Sequence, residues 1–99
     1  MRKKNLKEYV LKLYVTGSTE RSLRAIENLN NFVHSFLDNR ADLEIIDIYK
    51  TPEAASEAQI IAAPTLVKTL PLPLKKLVGD LSQTDKILLA LDVKDEKTK

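Results

Sequence analysis

Nucleophilic chemistry would be expected in the turn after the first predicted strand, where hydroxyl side chains are clustered. Ser18 and Thr19 stand there, followed by Glu20. A hydroxyl is a weak nucleophile unless a general base lies beside it. The single histidine, His34, falls late in the following helical segment, where a surface or packing role is expected. We therefore predict no catalytic residues in this chain.

Metal and cofactor chemistry is also disfavoured by the composition. The chain has no cysteine and one histidine, so it lacks thiolates for redox motifs and has few of the ligands that zinc prefers. Its two glycines, Gly17 and Gly79, are too few and too far apart for a dinucleotide-binding motif or a P-loop. We predict no metal, no cofactor and no enzymatic activity.

Charge and hydropathy limit the partners. The chain has 16 Lys and Arg against 14 Asp and Glu, a net charge of +2, and 5% aromatic residues. Its basic residues are scattered, whereas nucleic-acid-binding domains concentrate them in a patch or stripe. No segment approaches the roughly 18 apolar residues of a membrane span, and no apolar segment of a signal peptide follows the basic start. We predict a cytoplasmic protein that binds neither nucleic acid nor membrane.

The first half of the chain has the pattern of a strand–helix–strand unit. Alternating apolar residues over 7–15 predict a strand, and Gly17 ends it. Ser18 or Thr19 is expected to cap a helix of about five turns. Its apolar residues recur in steps of three and four: Leu23, Ile26, Leu29, Val33, Phe36 and Leu37. The segment 43–48 predicts a second strand, parallel to the first because such units close that way in nearly all cases.

A short helix and a third strand follow. Thr51 as N-cap and Pro52 at the first helical position predict a helix that runs to about Ile60 or Ile61. Pro64 disfavours helix for the residue before it and is expected to open a strand over 65–70.

The last part of the chain predicts a hairpin and a final helix. The turn 71–73 leads into a fourth strand over 74–78, antiparallel to the third. Ser82, with an acid three residues later, has the spacing of a capping box and is expected to start a helix over 83–91.

The resulting order βαβαββα predicts one α/β domain with a thioredoxin-like arrangement over residues 1–99, in which 1–6 and 93–99 are flexible. In that architecture a proline directly precedes the third strand, commonly after a cis peptide bond. Pro64 stands at that place, so a cis Ala63–Pro64 bond is expected.

Four segments, in order and without large gaps, carry a resemblance to a known family. They are YVLKLYVTG (9–17), IIDIYKTPEAA (45–55), APTLVKTLPLP (63–73) and GDLSQTDKILLALD (79–92). Together they resemble the KaiB family. The resemblance implies a non-enzymatic regulator that docks onto a KaiC-like hexameric ATPase of the RecA type and modulates its phosphorylation or ATPase state. The implied context is circadian timing in cyanobacteria, or stress adaptation in bacteria without a full clock.

The resemblance also implies two conformations. KaiB proteins interconvert between a ground-state fold with a rearranged C-terminal half, which forms tetramers, and a thioredoxin-like monomer that binds KaiC. The resemblance designates five conformational residues: Pro64, Pro71, Pro73, Ala90 and Asp92. The family commonly has glycine at position 90, and alanine favours a helix over glycine by about 0.8–1 kcal/mol. We therefore expect the thioredoxin-like state, with the ground-state fold as the alternative and a homodimer or homotetramer as the oligomers the resemblance allows.

Two departures from the family pattern bear on the physiological role. Leu72 replaces the middle of three consecutive prolines, and the tail 93–99 is short and of mixed charge, where cyanobacterial KaiB has a long acidic one. The departures leave a strict clock function and a stress-adaptive function both open.

By the same resemblance, the contact with a KaiC-like ATPase falls on the second helix and its surroundings: Lys50, Glu53, Ala54, Glu57, Ala58 and Gln59. An ordinary solvated helix face is the alternative interpretation. The edge of the second strand, Glu44 to Asp47, is a candidate for pairing with a KaiA-like protein or a histidine kinase by β-augmentation. Two other functions stay open at this point, a thioredoxin-like sensor domain of a SasA-type kinase and, more remotely, a thioredoxin-fold redox protein without cysteines.

Overall fold

A computed structural model of the protein describes residues 8–93, apart from the side chain of Asn39. The elements are four strands and three α-helices: β1 (Tyr9–Val15), α1 (Glu20–Phe32), β2 (Ala41–Asp47), α2 (Pro52–Glu57), β3 (Thr65–Leu70), β4 (Lys75–Val78) and α3 (Thr84–Leu91). The predicted flexibility of residues 1–6 and 94–99 lies outside the described residues. Val93 does not belong to a free tail, because its side chain packs on the core and its N–H bonds the carbonyl of Leu88.

The four strands form one mixed sheet in the order β2-β1-β3-β4. β1 pairs with β2 in parallel, and β3 lies antiparallel to both β1 and β4. The strand–helix–strand unit and the hairpin are therefore confirmed, as is the thioredoxin-like arrangement. β2 and β4 are the two edges of the sheet.

The core lies between one face of the sheet and the helices α1 and α3. Alternate residues of β1, from Leu11 to Val15, point into it, and Ile87 and Leu91 contribute from α3. Most of the predicted apolar face of α1 is confirmed, because Leu29 is buried and Ile26 packs against the core. Leu23 is the exception at 52% exposed, and Ser22, Ala25 and Phe32 are buried beside Leu29.

The end of α1 is also different from the prediction of one regular helix to Leu37. The α-helix ends at Phe32, and the chain continues as a wider π-helical turn over Val33–Leu37. The wider turn rotates the chain, so that Leu37 is fully buried while Phe36 stacks on Phe32 with ring centroids 4.8 Å apart. Asp38, with φ of 51°, ends the π-helical turn, and a short 3-10 helix over Asp38–Arg40 leads into β2.

Two of the predicted helix starts differ in detail, while a third is confirmed. Thr19 caps α1, its hydroxyl accepting a hydrogen bond from the Ser22 N–H. Thr51 makes no such bond, because its backbone lies at φ −135° and ψ 69°. α3 begins at Thr84 after Gln83, not after Ser82. The Ser82 N–H is taken instead by Oδ1 of Asp80 at 3.1 Å, in a turn that precedes the helix.

The second half adopts the thioredoxin-like arrangement, not the ground-state one. Thr84–Leu91, including Ala90, is helical. The expected cis bond before Pro64 is confirmed, and the bonds before Pro71 and Pro73 are also cis.

A lysine stands inside the core. Lys68 lies on β3 opposite Leu11 of β1 and is 0% exposed. Among residues 8–93, its Nζ is the one buried polar side-chain atom without a hydrogen-bond partner. Among the described residues it forms one long ion pair, to Asp92, with 4.0 Å between Nζ and Oδ2, and the Asp92 side chain is 63% exposed. A buried ammonium with such weak compensation opposes folding.

We expect Lys68→Met to stabilise the protein, because methionine has a similar length and carries no charge that must be desolvated. The free energy of unfolding should rise by about 1–3 kcal/mol, measured by urea denaturation followed by circular dichroism. Lys75→Met is the matched control, since Lys75 is the exposed neighbour of Lys68 on β4 and should change little. An unchanged or lower stability of Lys68→Met would contradict this account of the buried charge.

Candidate partner-binding surface

The helix α2 lies on the sheet face opposite the core. Residues of β1 alternate, so Lys12 and Tyr14 point away from α1 and α3 and line a groove together with the end of α2. α2 has six residues, and none of them is fully buried. Helices this short are marginal without tertiary contacts, so contacts at its ends must hold α2 in place.

The predicted partner-binding residues divide into two sets on this helix. Ala54 and Ala58 are half-buried toward the sheet. The polar members are exposed: Lys50, Glu53, Glu57 and Gln59. All six lie in or next to α2. The two alanines pack toward the sheet, and the polar side chains are exposed to solvent. Their role in binding stays a prediction.

Asp47 anchors the loop that leads into α2. Its Oδ1 accepts hydrogen bonds from the N–H of Gly17 at 3.0 Å and from that of Tyr49 at 2.9 Å. Its carbonyl accepts from the N–H groups of Lys50 and Thr51, both at 3.0 Å. One residue thus connects the end of β2, the β1–α1 turn and the start of α2. The sequence predicted Asp47 only as the last residue of the β2 pairing edge, and its anchoring role was not predicted.

Gly17 has a close neighbour at this anchor. It has φ of 58°, and a Cβ placed on it would lie 3.2 Å from Cδ2 of Tyr49. Glycine adopts this φ without strain, and any other residue here would also have to displace the exposed ring of Tyr49.

The other end of α2 is tied to the edge strand β4. α2 ends at Glu57 and not at Ile60, because Gln59 adopts a left-handed φ of 58°. The Ile60 N–H bonds the carbonyl of Ala55 at 2.8 Å, the pattern of a Schellman C-cap. The ammonium of Lys76 donates to the carbonyl of Ala58 at 2.8 Å and to that of Gln59 at 3.3 Å. Sequence reasoning missed this contact, which joins residues about 18 positions apart.

Between the end of α2 and the sheet lies an open groove of about 490 Å³, which we call the α2 groove. Its lining combines residues of all four strands with residues of the helix: Lys12, Tyr14, Glu44, Ile46, Ala54, Glu57, Ala58, Gln59, Val67, Thr69, Leu74 and Lys76. Burial raises the pKa of Tyr14 above its ordinary value of 10.0, and the negative charges of Glu44 and Glu57 raise this pKa further. The phenol therefore stays protonated at neutral pH.

The predicted pairing edge is an edge of the sheet, because among residues 8–93 β2 has β1 as its one strand neighbour. Along it Glu44 and Ile45 are exposed, while Ile46 and Asp47 are half-buried. The exposed apolar Ile45 and the free strand edge are the features that β-augmentation uses. A partner at this edge stays a prediction.

The predicted conformational residues lie at the two ends of β3 and at the end of α3. Pro64 is buried, and its carbonyl accepts the Gly79 N–H at 2.9 Å. Pro71 and Pro73 are exposed in the β3–β4 turn. Ala90 is half-buried in the last turn of α3, and Asp92 follows that helix with a left-handed φ of 55°.

The hydroxyls of the first turn have structural partners. Thr19 Oγ1 caps α1, and Ser22 Oγ accepts the Thr16 N–H at 3.0 Å. His34 is exposed on the π-helical turn. In the described part of the chain, no three His, Cys, Asp or Glu side chains are grouped to hold a metal ion, and no helix is long and apolar enough to cross a membrane.

The KaiB domain family model matches residues 12–93 of this chain. The chain belongs to the KaiB family. Its curated relatives include the circadian clock oscillator protein KaiB of Cyanothece sp., 47% identical over 87 residues that cover 88% of this chain and 83% of that protein. KaiB of Thermosynechococcus vestitus is 46% identical over 87 residues, which cover 88% of this chain and 81% of that protein. KaiB of Synechococcus elongatus is 45% identical over 87 residues, which cover 88% of this chain and 85% of that protein.

Solved structures agree with the thioredoxin-like arrangement of this KaiB-family chain. The N-terminal domain of Synechococcus elongatus SasA superposes with a TM-score of 0.69 at 19% identity, over 88% of this chain and 82% of that domain. Oxidized mitochondrial thioredoxin 3 of Saccharomyces cerevisiae superposes with a TM-score of 0.69 at 15% identity, over 87% of this chain and 78% of that protein. At such identities the likeness concerns the fold alone.

We expect Asp47→Ala to loosen the start of α2, because two amide N–H groups lose their acceptor. The free energy of unfolding should fall by about 1–3 kcal/mol. The amides of Gly17 and Tyr49 should exchange with deuterium faster than in the wild type. Asp47→Asn is the matched control, since its side-chain oxygen can still accept both bonds. Equal exchange rates in Asp47→Ala and the wild type would show that the anchor does not restrain the loop.

Proposed function

We propose that this KaiB-family protein is a non-enzymatic regulator that docks onto a KaiC-like hexameric ATPase and modulates its phosphorylation or ATPase state. The docking surface is α2 with its flanking residues Lys50 and Gln59. The proposal places the protein in the cytoplasm, in circadian or stress-adaptive signalling. Family membership supports the class of partner, and the geometry of α2 supports the surface.

The observation that carries the proposal is that α2 is held at both ends while its charged side chains stay free. Asp47 fixes the entry and Lys76 fixes the exit, so the exposed residues of α2 are presented from a defined backbone. Glu53 and Glu57 stand four residues apart and are both exposed. A rigid, pre-ordered surface loses less conformational entropy on binding than a flexible one.

The β2 edge supports a second contact of the same regulator. Glu44 to Asp47 lies along a free strand edge and leads directly into the Asp47 anchor of α2. A KaiA-like protein or a histidine kinase that adds a strand there would be placed beside a protein bound to α2. The two contacts would then assemble on neighbouring surfaces of one small chain.

The test is direct binding of the purified protein to the KaiC-like ATPase of the same organism, in the presence of ATP or ADP. Analytical size-exclusion chromatography should show this chain migrating with the hexamer, and biolayer interferometry should give its Kd. The ATPase rate and the phosphorylation level of the hexamer should change when the chain is added. Absence of binding with either nucleotide would overturn the proposal.

Charge reversal on α2 locates the surface. We expect Glu53→Lys to weaken binding at least tenfold, about 1.4 kcal/mol, because a like charge facing the partner's complementary charge is repelled. Glu27→Lys is the matched control, since Glu27 is an exposed glutamate of α1 on the opposite side of the sheet. Similar affinities for the two variants would remove α2 from the contact.

A further inference from the structure

A phenol and two carboxylates line the α2 groove, and their oxygen atoms make no ion pair or hydrogen bond with the described residues. Tyr14 is 4% exposed, and Glu44 and Glu57 line the groove with it. Within residues 8–93, neither carboxylate forms an ion pair or a hydrogen bond, and the Tyr14 hydroxyl has no hydrogen-bond partner. We call these three side chains the Tyr14 notch.

The buried phenol is the feature that distinguishes the Tyr14 notch from an ordinary pair of surface acids. Buried hydroxyls in proteins are nearly always hydrogen-bonded. In residues 8–93, Lys68 Nζ is the one side-chain nitrogen or oxygen that is both fully buried and without a hydrogen-bond partner. The Tyr14 hydroxyl also has no partner, so it must be partly accessible to solvent. It therefore opens toward the groove, where a bound group can reach it.

The charges around the notch favour a cation as that group. Two lysines also line the groove, so their positions matter. Lys76 already donates to the carbonyls of Ala58 and Gln59, and Lys12 lies beside Glu44 on the neighbouring strand without an ion pair to it. Within residues 8–93 neither glutamate has a cationic nitrogen within ion-pair distance, so both carboxylates are available to a new cation on the side of the groove formed by β2 and α2.

We propose that Tyr14, Glu44 and Glu57 form a receptor for one arginine side chain of a protein partner. A guanidinium has five N–H donors in a planar fork, so one group can reach two carboxylates and the phenol oxygen together. With the guanidinium bound, the phenol O–H is free to donate a hydrogen bond to one of the carboxylates. This names the chemistry that the partner offers to the α2 surface, and it rests on the proposed function for the identity of that partner.

The receptor is tested first without any partner protein. N-acetyl-arginine methylamide is titrated into the ¹⁵N-labelled chain, and amide shifts near Tyr14, Glu44 and Glu57 are followed by NMR. The matched probe is N-acetyl-citrulline methylamide, which has nearly the same shape and no charge. We expect saturable shifts with the arginine probe and at least fivefold weaker binding of the citrulline probe. Equal response to both probes, or no saturable response to arginine, would overturn the receptor.

Three variants separate the receptor from general surface charge. The double variant Glu44→Gln, Glu57→Gln should bind the arginine probe at least fivefold more weakly. Tyr14→Phe keeps the buried ring and loses only the hydroxyl, and it should bind two- to fivefold more weakly. Glu27→Gln on α1 removes one negative charge far from the groove and should bind as the wild type does. A double variant with wild-type affinity contradicts the proposal.

The same variants distinguish this proposal from the proposed function. If the wild type and the variants of the Tyr14 notch bind the KaiC-like ATPase equally well, the docking function stands and the receptor is wrong. If the wild type binds the arginine probe but not the ATPase, the receptor stands and the docking function is wrong. The outcome that supports both is a tenfold or greater loss of ATPase binding in the double variant, with Glu27→Gln unchanged.

Discussion

The position of α2 depends on two polar contacts, one at each end of the helix. A helix of six residues with no fully buried side chain cannot hold itself on a sheet by hydrophobic burial. Asp47 fixes the loop before the helix by accepting the N–H groups of Gly17 and Tyr49, and Lys76 donates to the carbonyls of Ala58 and Gln59 just after the helix. Both contacts therefore fix the chain that flanks α2. The backbone position of the surface proposed for docking therefore depends on these two side chains.

The two faces of the sheet serve different ends. On one face, α1 and α3 cover β1 and enclose the apolar core, in which Lys68 is the exception. On the other face, α2 covers only part of the strands and leaves the α2 groove open. A thioredoxin-like fold without cysteine thus keeps a shaped and charged surface beside its sheet. Recognition of a partner needs such a surface, whereas disulfide exchange needs thiolates.

Most of the elements and their order were predictable because they depend on local patterns. Alternation predicted β1, and the proline before β3 predicted where that strand begins, which the structure has at Thr65. The failures occurred where packing overrode those patterns. Apolar spacing placed Leu23 inward, although it is 52% exposed, and extended α1 to Leu37 as one helix, whereas the chain forms a wider turn after Phe32. Capping by Thr51 and Ser82 failed because neither backbone has the required conformation or partner.

The sequence by itself determined the fold class, the family resemblance and the absence of thiol chemistry, because composition, periodicity and ordered motifs are properties of the chain alone. It also designated α2 as the candidate surface. Only the tertiary structure decided that Lys76 holds the end of α2, that the Lys68 ammonium lies in the core without a hydrogen-bond partner, and that Tyr14, Glu44 and Glu57 line one groove. These contacts join residues far apart in sequence, and strand register, which determines which side chains meet, is a property of the folded sheet.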